Sequence, residues 1–138
     1  MSVSPPSSTV EGATFMEDDD PHSHLQIVIT APVKSTDIVL YVNLTSYDAS
    51  QPPGDRNDPA CLVYPGEHPF ILHDTCVCYA KAQFLTLGGF EIGIRAGHFL
   101  PWGEPADATM LDKIRRCSGD SKFMEIGPYR ILENLLLV

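Results

Sequence analysis

The segment Ile38-Val-Leu-Tyr-Val-Asn-Leu44 is apolar at every position but one. Its β-branched and aromatic content favours a strand, and a strand apolar on both faces has to be buried on both. A sheet built around it therefore needs cover on each side. A chain of 138 residues has room for one domain with such a core, without metal or disulfide support. Residues 12–138 read as that single domain, and the Ser/Pro-rich residues 1–11 as a flexible lead-in.

The remaining runs are shorter and more punctuated. Over residues 24–30 a period of two puts Leu25, Ile27 and Ile29 on one strand face and His24 and Gln26 on the other. Residues 12–16 predict a brief first strand and residues 60–64 another, closed by Pro65-Gly66. Residues 75–82 predict a further strand that runs towards Leu87 until Gly88-Gly89 breaks it, with residues 90–94 as a last strand. Residues 31–36 read as a turn. Residues 48–59, with Pro52, Pro53, Gly54 and Pro59, read as a long surface loop of the kind that often carries function. The chain then changes character. Asp107 is a good N-cap for a helix over residues 108–117, with Gly119 as its stop. Met110, Leu111, Ile114 and Cys117 form its apolar stripe. Residues 131–138 are apolar enough to dock on the body. The expected fold is mainly β: a small barrel of five to six mostly antiparallel strands with one C-terminal helix.

Charge limits the partners. The net charge is −9, from nine basic and eighteen acidic residues. Even without the five acids before Pro21 the balance stays negative, which argues against tight sequence-independent binding of nucleic acid. A local patch from Lys113, Arg115, Arg116 and Lys122 stays open. No run reaches the ~18–20 apolar residues of a membrane span, and the N-terminus lacks the basic and apolar stretches of a signal peptide. We expect a cytoplasmic protein with no membrane partner. Cys76-x-Cys78 lacks the two-residue gap of a zinc knuckle or redox pair. With Cys61 and Cys117, these cysteines read as reduced thiols acting as small hydrophobes.

The candidate site lies at strand edges. His24 opens one strand, Thr45-Ser46 ends the next, and His68-Pro-Phe-Ile-Leu-His73-Asp74-Thr75 is the densest polar cluster. Two histidine-bearing edges facing a Thr-Ser pair suit acid–base chemistry on a small or extended substrate. The same residues have structural readings. Hydroxyls at strand ends satisfy backbone groups, and His68–Thr75 suits a tight turn with Phe70 and Leu72 as core plugs. His22 reads as solvated. Arg95, Arg56 and Lys81 are candidate phosphate-binding cations, and Trp102 is either a base-stacking surface or a plug. His22-x-His24 lacks a third ligand at a supportive spacing, so no metal is expected.

In this order, Gly12-Ala-Thr-Phe-Met16, His24-Leu-Gln-Ile-Val-Ile-Thr30, residues 38–46, residues 67–82 and the helix at 108–117 resemble the MazF/PemK-like toxins. Their SH3-like (MazF/PemK/CcdB-like) barrels cleave RNA. In that family the strand matching residues 38–46 ends in a catalytic Thr or Ser, here Thr45 or Ser46. His24 stands where the family has an arginine. The resemblance implies an endoribonuclease-type toxin of a toxin–antitoxin system with an RNA substrate, an antitoxin protein as partner and no cofactor. His24 and His73 (or His68) would share the acid and base roles, Thr45 or Ser46 would bond the phosphate, and Arg95 or Lys81 would stabilise developing charge. Such toxins pair, and the apolar end Leu135-Leu-Leu-Val138 offers a surface for a homodimer. The competing expectation is a non-enzymatic SH3-like interaction module that grips a partner peptide. A positive groove beside His24 and Thr45 favours the enzyme, and a uniformly negative one the module.

Overall fold

The computed structural model describes residues 11–21, 24–30 and 37–134. Residues 1–10 of the expected lead-in, His22, the turn at 31–36 and the apolar end at 135–138 lie outside them.

Six strands form one antiparallel sheet: β1 (Thr14–Glu17), β2 (Gln26–Val28), β3 (Ile38–Ser46), β4 (Leu62–Val63), β5 (Thr75–Thr86) and β6 (Phe99–Pro101). Their order is β4-β5-β3-β2-β1-β6, so the sheet is open, with β4 and β6 as its edges. The mainly-β expectation holds. A closed barrel ladder is absent among the described residues.

The two-sided burial of β3 is satisfied as its sequence requires. Leu40, Val42 and Leu44 join Leu25, Ile27, Ile29, Val77 and Tyr79 in the larger core. The helix α2 (Ala108–Cys117) covers that side with Met110, Leu111 and Ile114. Asp107 caps it as expected, accepting from the Met110 N–H at 2.8 Å. The stop differs: Ser118 follows the helix directly, and Gly119 lies inside a short 3-10 turn, Ser118–Asp120. The Tyr79 hydroxyl ties sheet to helix by donating to the Ile114 carbonyl at 2.5 Å.

Val39 and Tyr41 point the other way, into a second cluster with Phe15, Val28 and Phe90. Here the expected last strand at 90–94 is corrected. Leu87–Arg95 is a helix, α1, and Gly88-Gly89 lies in its first turn. Thr86 caps it, its hydroxyl accepting from the Gly89 N–H at 3.0 Å. Leu87, Phe90 and Ile94 share one helical stripe against the aromatic cluster. Gly93 allows the close approach of Phe99, whose ring would lie 2.5 Å from an added Cβ. One helix was expected and the described residues hold three, since Ile126–Asn134 forms α3, with Leu132 in the larger core. No helix among the described residues is long and apolar enough to cross a membrane.

The β3–β5 pairing shifts in the middle. Tyr41 pairs with Gln83, but Asn43 pairs with Cys78, so residues 79–82 stand opposite Val42 alone. Such a bulge bends a strand and re-aims its side chains. Lys81 lies within it.

Candidate functional site

The face that carries Val28, Val39 and Tyr41 is only half covered. Continuing along the same faces by steps of two, β2 leads to Gln26 and His24, and β3 to Asn43 and Thr45. These four side chains line an open cleft of about 520 Å³, together with Glu17, Asp20, Arg56, Cys78 and Lys81. The change from aromatic to polar residues along one sheet face makes the site.

His24 is held at both ring nitrogens. Its Nδ1 lies 3.1 Å from Asp20 Oδ2, which also accepts from the His24 backbone N–H at 2.9 Å. Its Nε2 lies 3.2 Å from Thr45 Oγ1. A carboxylate can only accept, so the neutral ring carries its proton on Nδ1 and presents Nε2 as an acceptor to the hydroxyl. The result is an Asp20–His24–Thr45 relay with its hydroxyl end in the cleft.

Thr45 and Ser46 are neighbours on β3 and point to opposite sides of the strand. Ser46 Oγ lies 2.6 Å from His73 Nε2. A second depression of about 360 Å³ runs around this strand end and is lined by His24, Thr45, Ser46 and His73, with Phe70 and Leu72 as its apolar wall. The four residues expected to be catalytic therefore meet at one place, as two histidine–hydroxyl pairs on consecutive residues.

The expected substrate-binding residues divide. Lys81 lines the cleft. His68 does not: it is 4% exposed, its Nε2 donates to the Glu104 carbonyl at 2.8 Å, and its Nδ1 accepts from the Phe70 N–H at 3.1 Å. Its ring lies beside Trp102, which also packs edge-on against Phe70. Arg95 closes α1 and does not line the cleft. Arg56 takes that place, delivered by the loop at 48–59, which Asn57 holds through bonds to Asp48. Leu72, expected as a core plug, is 81% exposed, while Phe70 packs against the larger core and Ile71 is buried in it. Three of the four side chains in the basic cluster near the C-terminus are ion-paired: Lys113 with Glu67, Arg115 with Glu11 and Arg116 with Asp112.

The cleft is of mixed charge, with Glu17 and Asp20 against Arg56 and Lys81. Burial, then the charges of Asp19 and Asp20, push the Glu17 carboxyl above its ordinary value. Burial and the Glu17 charge push Tyr41 up to about 12. Cys76 and Cys78 share a hydrogen bond that lowers the Cys76 thiol and raises Cys78, which burial raises further. All four cysteines are free thiols. Among the described residues no group of three or more His, Cys, Asp or Glu side chains could hold a metal ion.

Asp20, Asn43 and Gln26 were not singled out from sequence as site residues. The alternation that placed His24 and Gln26 together, extended to β3, would have paired Asn43 with Thr45. Asp20 sits four residues before His24 in an acidic run and carried no pattern of its own.

No family model matches the chain, and no curated protein or solved structure matches it.

Proposed function

We propose that this cleft, together with the adjoining depression at the end of β3, cleaves RNA by acid–base catalysis, with the substrate's own 2′-hydroxyl as nucleophile. The observation that supports it is the pairing of two histidines with the consecutive hydroxyls Thr45 and Ser46 at one strand end. In the reaction, His24 Nε2 takes the 2′-hydroxyl proton as the 2′-oxygen bonds to phosphorus. His73 gives a proton to the departing 5′-oxygen as its P–O bond breaks. Asp20 holds the His24 ring in the tautomer a base needs and stabilises it once charged. Thr45 and Ser46 hold the positions that substrate oxygens take over, and Lys81 and Arg56 stand where they can offset charge developing on phosphate. The nucleophile comes from the substrate, so the step calls for no metal-generated hydroxide.

The rest of the reading goes with it: an endoribonuclease-type toxin on a small SH3-like architecture, restrained by an antitoxin protein. Replacing His24 or Thr45 with alanine tests the chemistry. Each variant should keep the fold and lose cleavage, His24→Ala by about 10²-fold or more. Activity should persist in a chelator. Cleavage that survives both substitutions would remove the assignment.

One observation favours a binding module instead. Leu72 is 81% exposed beside Phe70 in the wall of the smaller depression, an apolar surface ready for a peptide side chain. A folded wild-type protein that cuts no RNA would leave that reading standing.

A further inference from the structure

Two carboxamides sit together in the cleft. Gln26 of β2 and Asn43 of β3 are register partners. Both line the cavity beside His24 and Thr45, and Gln26 is 4% exposed. Asn43 interrupts the otherwise apolar run of β3, and buried polar groups are normally kept where a partner satisfies them. Here the partner is absent: Asn43 Oδ1 is closed off from solvent and meets no hydrogen-bond donor among the described residues. The Tyr41 hydroxyl on the same face is already committed, donating to Gln83 at 2.9 Å. Asn43 therefore contributes little to the empty fold, and its amide is not locked by an internal bond at its oxygen.

We infer that Asn43, with Gln26 beside it, reads the hydrogen-bonding edge of one nucleobase next to the scissile bond. The inference rests on the RNA-cleaving reading of the same cleft. Rotation of the unlocked carboxamide carries its oxygen from that closed position to the cavity, where the group offers one acceptor and two donors, the complement of a base edge that places an N–H beside an acceptor. The cations are differently placed: Arg56 and Lys81 are exposed, where they suit phosphate and not a base. A site built to hydrogen-bond a substrate N–H rejects analogues that lack it, because its own polar atoms are then left unpaired. The cleft thus selects the base at the cut as well as cutting.

Calorimetric titration of the full chain with AMP, GMP, CMP and UMP, one at a time, tests this. We expect one nucleotide to bind at least about tenfold tighter than the weakest, the discrimination a good base contact supplies. Asn43→Ala and the similarly sized Asn43→Leu should each compress the spread below about threefold. Both should melt no lower than wild type, because the oxygen they remove holds nothing in the empty protein. Equal affinities in the wild type, a spread that persists in both variants, or no nucleotide binding at all would overturn the inference. The two readings separate cleanly. RNA cut with an Asn43-independent base preference removes base reading alone. An Asn43-dependent preference without cleavage keeps base reading and removes the acid–base proposal.

Discussion

His68 and His73 share one short segment and have opposite surroundings. Both nitrogens of His68 serve the backbone, at Glu104 and Phe70, inside the protein. His73 is exposed and meets only a hydroxyl, Ser46, within the described bonds of its ring. Sequence alone offered both as acid–base candidates, because a histidine's role is set by what faces its ring and not by its spacing. His68→Ala should cost about 1–3 kcal/mol, since it removes a buried ring and leaves the Phe70 N–H without its partner, while the Glu104 carbonyl keeps the Thr14 hydroxyl. A lowered melting temperature with cleavage per folded molecule unchanged is the expected result. Glu17 shows the opposite sign. Its carboxyl is raised in the folded protein, so ionisation there disfavours folding at pH values above the folded value. Glu17→Gln should raise the melting temperature at pH 7. That gain should shrink as pH falls through the folded value and vanish below the ordinary carboxylate value, which thermal melts across that range will show.

At the scale of elements, the legible parts were those with a local signature. The helix over 108–117 was readable to its ends because a cap and a 3.6-residue stripe coincide there. Asp107→Ala should cost about 1 kcal/mol, readable in a denaturant melt. β3 was readable from its two apolar faces. α1 was not, because two adjacent glycines suggest a break and Phe90–Ile94 fits either period over so few residues. Only tertiary context decides it: Phe90 closes over Phe15, with ring centroids 5.2 Å apart, and Gly93 lets Phe99 approach. Gly93→Ala should cost about 1–3 kcal/mol by overpacking that contact, again visible as a lower denaturation midpoint. The cleft follows from the same arrangement. α1 is nine residues long and covers Val39 and Tyr41 but not Asn43 and Thr45. The meeting of His24 with Thr45 needed the β2–β3 pairing, and that of Ser46 with His73 needed the return of the chain into β5, neither of which leaves a mark in any single segment.

For the whole molecule, the account has to reconcile a net charge of −9 with a polyanionic substrate. Two cleft cations are all that is required if only the phosphates at the cut are gripped. Binding of single-stranded RNA should then weaken with salt by a log–log slope of about −1.4, from 0.7 per phosphate neutralised at two phosphates. A slope several times steeper would mean that another surface carries the contact. The homodimer that the resemblance to the barrel toxins implies is checked by light scattering, which should give about twice the 15.2 kDa chain mass. The central claim, that His24 and His73 drive attack by the substrate's own 2′-hydroxyl, is tested most directly by mass analysis of the products of a defined RNA oligonucleotide. The account predicts 2′,3′-cyclic phosphate and 5′-hydroxyl ends, no cutting where the 2′-hydroxyl at the scissile position is replaced by hydrogen, and loss of these products in His24→Ala and His73→Ala. Products with 3′-hydroxyl and 5′-phosphate ends, or cutting at the 2′-deoxy position, would contradict it.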